Sequence, residues 1–341
     1  MNQALKILVV FAAALSLNYV QNKTNDGETQ IVPEKNIRAH LEFLAGDALK
    51  GRGSATEYEL IAAQYIASQL RQFGIEPAGD IEAHGQKTFL QTIALMKSDS
   101  AETPKSNFSS NKKAIKKTWN VVGELRGSHP RLAQQAISLS AHLDHLGVRR
   151  AVAGDSIYNG ADDDASGVVA VLELARILGA GPKPRRTVYF VLFGSEESGG
   201  HGAEHFIDNP PAPLKNFIAD LQFEMIGRPD PKIAANTLWL TGFERSNLGP
   251  ELAQHGARLV ADPHPEENFF QRSDNYALAK RGIVAHTVSS YGLHREYHQP
   301  SDDVAHIDFT HITQAISSML KPVQWLVNSD FTPAWVEGGK P

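Results

Sequence analysis

The stretch Thr187-Val-Tyr-Phe-Val-Leu-Phe193, followed at once by Gly194-Ser195-Glu196-Glu197-Ser198-Gly199, decides the fold. A continuous run of apolar, β-branched and aromatic residues needs apolar cover on both faces. That is the setting of a strand in a largely parallel sheet layered with helices. Working outward, residues 165–178 carry Val168, Val169, Leu172, Ala175 and Leu178 on one helical side, and Gly179, Gly181 and Pro182 end the pattern. Residues 120–124 and 136–141 read as strands before this helix, and residues 217–225, 237–240 and 283–288 as strands after it. Residues 307–326 read as a closing helix. Residues 33–74 are helical in period, through Ile37, Leu41, Leu44 and Ala45, then Leu60, Ala63, Ile66, Ala67 and Leu70. Residues 88–95 look extended. Residues 97–118 are rich in Lys, Ser, Asn and Thr and are too short to bury a core, so they are expected to form an exposed insertion. Strands interleaved with helices predict an α/β fold: a mixed, mostly parallel central sheet with helices on both faces.

Composition narrows the function. The 341 residues include 33 Lys and Arg against 38 Asp and Glu, a net charge of −5. That balance gives no general attraction to a phosphate backbone, so no nucleic-acid partner is expected. Cysteine is absent, which removes disulfides, thiolate metal sites and cysteine nucleophiles together. A bound metal must therefore be held by Asp, Glu or one of the 14 histidines. At the N-terminus, Lys6 precedes an apolar run from Ile7 to Leu17 with small residues among it. The run falls short of the ~18 apolar residues that span a bilayer. It fits a secretory signal within residues 1–22 and predicts an exported, periplasmic or secreted protein with no membrane attachment in its mature form.

Ligands of open α/β sheets gather at the carboxyl ends of the strands, and the chemistry-bearing residues fall there. His142 and Asp144 follow residues 136–141, in Ala-His-Leu-Asp-His-Leu-Gly. Asp162, Asp163 and Asp164 precede a helix in Asn-Gly-Ala-Asp-Asp-Asp-Ala-Ser-Gly. Glu196 and Glu197 follow the 187–193 strand, Glu224 ends Leu-Gln-Phe-Glu, and His298 lies in Glu-Tyr-His-Gln-Pro-Ser-Asp-Asp. Each has an ordinary structural explanation: acidic residues before a helix cap it, and a Glu-Glu pair or a loop histidine is usually solvated. Glu224 resists that explanation, because a carboxylate between Phe223 and Met225 is costly unless paired or metal-bound. Two histidines, a shared Asp and two further carboxylates suit a pair of zinc ions, and the remaining Glu is free to take a proton from water.

In these motifs the chain resembles the di-zinc aminopeptidases of peptidase family M28, over residues 35–325. His-x-Asp-His, Gly-Ala-Asp-Asp-x-Ala-Ser-Gly, the Glu-Glu pair and Tyr-His-x-Pro-x-Asp occur in the family's order, and residues 44–52 look like its N-terminal helical segment. The resemblance implies a zinc-exopeptidase-like fold in one catalytic domain over residues 33–330, with no inserted protease-associated domain. It implies two zinc ions per chain, and peptide substrates with a free N-terminus. Asp162 would bridge the metals beside an unusual peptide bond to Asp163. His142 and Glu224 would complete one metal position, and Glu197 and His298 the other. Glu196 would activate the bridging water, Asp144 would orient His142, and Tyr297 would stabilise the oxyanion. Glu224 departs from the Asp more common there.

His201-Gly-Ala-Glu-His205 also fits a zinc-helix pattern, but Asp208, Asn209, Pro210 and Pro211 stop such a helix at once. His294 and His298, four apart, are bracketed by Gly292 and Pro300 and read as a loop. Two alternatives share the fold: a glutaminyl-cyclase-like acyltransferase with one zinc, and a binding domain without metal. Residues 243–272 are expected to shape the substrate side-chain pocket. Arg272 and Arg295 leave a carboxypeptidase open.

Overall fold

The computed structural model describes residues 32–95 and 116–341. In chain order the helices are α1 (Glu34–Leu44), α2 (Glu57–Gln72), α3 (Gly167–Ala180), α4 (His201–Asp208), α5 (Leu248–Gln254), α6 (Asp274–Lys280) and α7 (Phe309–Asn328). The strands are β1 (Glu76–Pro77), β2 (Leu90–Leu95), β3 (Lys116–Leu125), β4 (Ala136–His142), β5 (Gly147–Val152), β6 (Asp155–Tyr158), β7 (Thr187–Phe193), β8 (Phe217–Phe223), β9 (Leu238–Leu240), β10 (Leu259–Ala261) and β11 (Val284–Ser289).

Every residue of β7 is buried. Val188, Phe190 and Leu192 pack into one apolar cluster, and Tyr189, Val191 and Phe193 into another. The unbroken apolar run is thus explained: alternate side chains serve two cores, one on each face of the sheet. On the first face α1, α2, α3 and α7 supply Ile37, Ile66, Val169 and Ile316. On the second, α4 and α6 supply Phe206 and Leu278. The main sheet runs β1-β3-β7-β4-β8-β11-β9-β10, with β2 also on β3. Strands β7, β4, β8 and β11 form its parallel centre, and antiparallel pairs flank them. All four central strands therefore point their carboxyl ends at one edge.

The expected elements are present with shifted ends. The 33–74 helical stretch is two helices, α1 and α2, because residues 45–56 turn through a short 3₁₀ segment. The helix expected at 165 begins at Gly167, because residues 161–166 form an irregular turn. Residues 116–118, expected in the insertion, already belong to β3 and pair with β2. The rest of that insertion, and the segment 1–22, lie outside the described residues. The β5–β6 hairpin went unpredicted, since most of β5 is exposed and carries no apolar period. No described helix is long and apolar enough to cross a membrane.

Two buried polar groups hold this frame. Arg52, fully buried, donates to the carbonyls of Leu44, Asn159, Gly160 and Leu143 at 2.6–3.0 Å. It thus ties the first helical segment to the loops after β4 and β6. Arg52→Met would take the guanidinium donor from the buried carbonyls of Leu44, Leu143 and Asn159, each a desolvation cost, while the Gly160 carbonyl keeps the Ala165 N–H at 3.2 Å. We expect a loss of about 3 kcal/mol or more, read as a shifted denaturant midpoint.

His286 on β11 is the second. Its Nδ1 donates to the Thr241 carbonyl at 2.7 Å, so Nε2 accepts from Ser246 Oγ at 2.8 Å and the ring is neutral. Burial pushes its pKa down to about 4. The unfolded chain, with a value near ~6.5, then binds the proton first as pH falls. Stability is full above ~6.5 and drains between there and about 4. Over that window the wild type should lose about 3 kcal/mol more than His286→Gln. Equal losses in urea titrations at pH 7 and 4 would contradict the assignment.

Candidate metal centre

The carboxyl ends of β4, β7 and β8, and the loop after β11, bring His142, Glu196, Glu197, Glu224 and His298 together, as sequence predicted. The Asp run that joins them behaves differently from expectation. Asp162, expected to be shared between the metals, turns away: its Oδ1 accepts from Gly227 N–H at 2.7 Å and Ser166 Oγ at 3.2 Å, and its Oδ2 lies 2.9 Å from His294 Nε2. The carboxylate between the imidazoles belongs to Asp163. Its Oδ1 is 3.1 Å from His142 Nε2, and its Oδ2 is 3.1 Å from His298 Nε2. Asp164 serves the backbone, accepting from the N–H groups of His142, Met225 and Gly167 at 3.0–3.2 Å. Three consecutive carboxylates thus take three directions. The reason is local: Asp163 (φ −104°, ψ 96°) and Asp164 leave helical conformation, so no helical spacing relates their side chains. The cis peptide likewise lies between Asp163 and Asp164, one residue later than expected.

Glu197 Oε1 lies 3.2 Å from His298 Nε2 and 2.9 Å from His145 Nδ1. Glu196 and Glu224 line the same cleft. The Glu196 N–H is fixed by Asp144 Oδ1 at 3.0 Å, and Asp144 also takes the Ser54 hydroxyl. Asp144 does touch His142, but through its main-chain carbonyl, 3.2 Å from Nδ1. Its carboxylate is 3.9 Å away, outside hydrogen-bond range. Tyr297 stacks on His298 with ring centroids 3.9 Å apart and faces the cleft.

The electrostatics describe a donor set short of positive charge. Burial, reinforced by neighbouring carboxylates, holds Glu196, Asp164, Asp274 and Asp302 well above the usual carboxylate range, and Glu224 is pushed up to about 7. Burial also opposes ionisation of Asp163 and Glu197, but the facing imidazoles outweigh it and hold both below that range. Burial disfavours charge on His298, yet Asp163 and Glu197 raise it to about 9. Imidazole nitrogens and carboxylate oxygens packed 2.9–3.2 Å apart in a buried site fit divalent cations, above all zinc.

A sequence profile for Peptidase family M28 matches residues 120–322, more than half of the chain. The chain belongs to peptidase family M28. It is 31% identical over 205 residues to leupeptin-inactivating enzyme 1 of Streptomyces exfoliatus, covering 59% of this chain and 37% of that one. It is 35% identical over 116 residues to an aminopeptidase of Pseudomonas aeruginosa, covering 33% and 19%. The matched segments thus span less than two fifths of these relatives' own length. In fold it is similar to a zinc aminopeptidase from Bacillus subtilis, at 18% identity and TM-score 0.63, over 90% of this chain and 98% of that one. It is nearly as similar to Porphyromonas gingivalis glutaminyl cyclase, at 17% identity and TM-score 0.61, over 87% and 99%. The fold alone therefore does not separate the two chemistries.

Around the centre, this M28 chain has residues that sequence reasoning passed over. Asp302 accepts the N–H of Asp162 on Oδ1 and that of Asp163 on Oδ2, both at 3.0 Å, and so clamps the backbone that carries the central carboxylate. It is the Asp of the quoted Tyr-His-x-Pro-x-Asp motif, so a signal was present. His145, three residues beyond the end of β4, stands in the cluster as well. His201 and His205 lie on α4, whose buried side faces the second apolar cluster. His294 and His298 sit in a loop and reach the neighbouring Asp162 and Asp163. The cleft walls are Met225, Trp239, Phe269 and Tyr291, so only part of the pocket comes from residues 243–272. Arg272 lies over the Phe269 ring and pairs with Glu267, while Arg295 is 92% exposed on the side of Glu296.

Proposed function

We propose that the chain is a zinc-dependent aminopeptidase holding two zinc ions. The observation that carries this is the Asp163 carboxylate, one oxygen facing His142 and the other facing His298. His142, Asp163 and Glu224 would hold one ion, and Asp163, Glu197 and His298 the other. When bound, zinc polarises the scissile carbonyl and acidifies the attacking water.

The chain's own residues supply the rest. Glu196, at the cleft with its backbone pinned by Asp144, takes the proton from the attacking water and returns it to the leaving amine. Burial and nearby carboxylates keep the Tyr297 phenol protonated, so it can donate to the oxygen that gains charge. The apolar walls receive a substrate side chain. The relatives' names favour an aminopeptidase, and Arg295 is exposed beside Glu296, while Arg272 lines the cleft and pairs with Glu267 there. Export through residues 1–22, with residues 33–330 as the catalytic domain, completes the reading. N-terminal sequencing of protein from its native compartment tests the export step.

Aminoacyl chromogenic amides, free and N-acetylated, test the activity. The free amides should be cleaved, zinc removal should stop cleavage, and the acetylated ones should resist. Cleavage of both kinds alike would contradict an aminopeptidase. Cyclisation of an N-terminal glutamine without hydrolysis would point to the acyltransferase instead.

A further inference from the structure

We propose that His145 is a fourth protein ligand of the metal position formed by Asp163, Glu197 and His298, which makes the two metal positions unequal. This rests on the dinuclear reading above.

Two imidazoles from separate segments face the same pair of oxygens. His298 Nε2 lies 3.1 Å from Asp163 Oδ2 and 3.2 Å from Glu197 Oε1. His145 Nδ1 lies 2.9 Å from the same Glu197 oxygen and 3.8 Å from the same Asp163 oxygen. Donors about 2.0–2.1 Å from a tetrahedral zinc stand roughly 3.3 Å from one another. The three observed spacings short of 3.3 Å and the one beyond it bracket that value. The buried atoms of His145, Asp163 and Glu197 are close enough to share one cation.

A hydrogen bond does not account for the contact. Neither nitrogen of His145 nor Glu197 Oε1 has a hydrogen-bond partner, although Nδ1 and Oε1 are 2.9 Å apart. The N–H is not aimed at the oxygen, which is the arrangement expected where both atoms meet a shared partner at a point beside them. A buried imidazole with both nitrogens unsatisfied is costly, and a cation at that point would satisfy Nδ1 and Oε1 together.

The ring is also built into place. The His145 N–H donates to the Arg52 carbonyl at 3.2 Å, and Gly53 pairs with it as an isolated bridge. The ring packs on Gly160, where an added Cβ would come within 2.5 Å of His145 Cγ. Gly160 has φ +61°, so it is doubly suited to glycine. The His298 ring stands edge-on at 5.7 Å.

The consequence is an asymmetry. Asp163, Glu197, His145 and His298 offer four donors at one position, while His142, Asp163 and Glu224 offer three at the other. The first should retain its ion, and the second should keep coordination free for substrate.

Zinc per chain, measured by elemental analysis during titration with a competing chelator, tests this on the full-length protein. The wild type should release one ion early and the second only at much higher chelator. His145→Ala should weaken the retained ion by more than ~10²-fold, beyond the ~10–100-fold typical of an orienting partner. His145→Gln, which can donate to Glu197 but ligates zinc poorly, should behave like His145→Ala. In the cobalt-substituted protein both variants should alter the visible absorption of the retained ion. Circular dichroism of the zinc-free variants checks that they fold. Two ions with wild-type affinities in His145→Ala, or restoration by His145→Gln, would overturn the ligand role and leave the proposed function standing. A wild type that binds no zinc, or one ion only, would overturn both.

Discussion

Glu196→Gln should keep both zinc ions and a nearly unchanged KM, while kcat falls by at least ~10²-fold. The two adjacent glutamates are distinguished by what they face. Glu197 Oε1 is turned to the imidazoles of His145 and His298, as a ligand would be. Glu196 lines the cleft with its N–H fixed by Asp144, and its carboxylate is left for the substrate side. Glutamine preserves size and one hydrogen bond but cannot accept a proton. A ~10²-fold loss corresponds to about 2.7 kcal/mol of transition-state stabilisation, within the range of a single positioned base. Steady-state kinetics with zinc analysis of the same sample checks it. Near-wild-type turnover would remove the base assignment, and lost zinc would mean the two glutamates have exchanged roles.

Asp163→Asn and Asp162→Asn should give opposite results, although the residues are adjacent and the substitutions equally small. Asp163 faces both His142 and His298, so an amide there should abolish zinc retention at both positions and bring activity to background. Asp162 faces Gly227, Ser166 and His294. An amide oxygen can still accept from the Gly227 N–H, so that variant should hold two ions and lose no more than ~10–100-fold in metal affinity. Zinc content after gel filtration separates them. If Asp162→Asn loses both ions and Asp163→Asn does not, Asp162 is the shared carboxylate, as the sequence motif implies, and the assignment to Asp163 fails.

That pair also shows where sequence stops being informative. The sheet was legible because β7 is apolar on both faces, and a parallel centre gathers the strand ends at one edge. From this, Glu196, Glu197, Glu224 and His142 could be placed by position alone. His298 followed from its motif. The middle Asp could not be chosen, because spacing ranks residues only where the backbone is regular, and residues 161–166 are not. His145 was visible in His-Leu-Asp-His, but its direction depends on Gly160, fifteen residues later in sequence and against its ring. Arg52 lay within the quoted segment 44–52, yet its role is set by carbonyls as distant in sequence as Asn159 and Gly160. The placements of His145 and Arg52 thus rest on long-range contacts, which no local period encodes.

The central claim is that one carboxylate, that of Asp163, organises a pair of zinc ions. Anomalous diffraction at the zinc edge from crystals of the zinc-loaded protein tests it most directly. The account predicts two peaks per chain flanking the Asp163 carboxylate, one beside His142 and Glu224, the other beside Glu197 and His298. A single peak, no peak in this cleft, or a pair of ions meeting at Asp162 would contradict it.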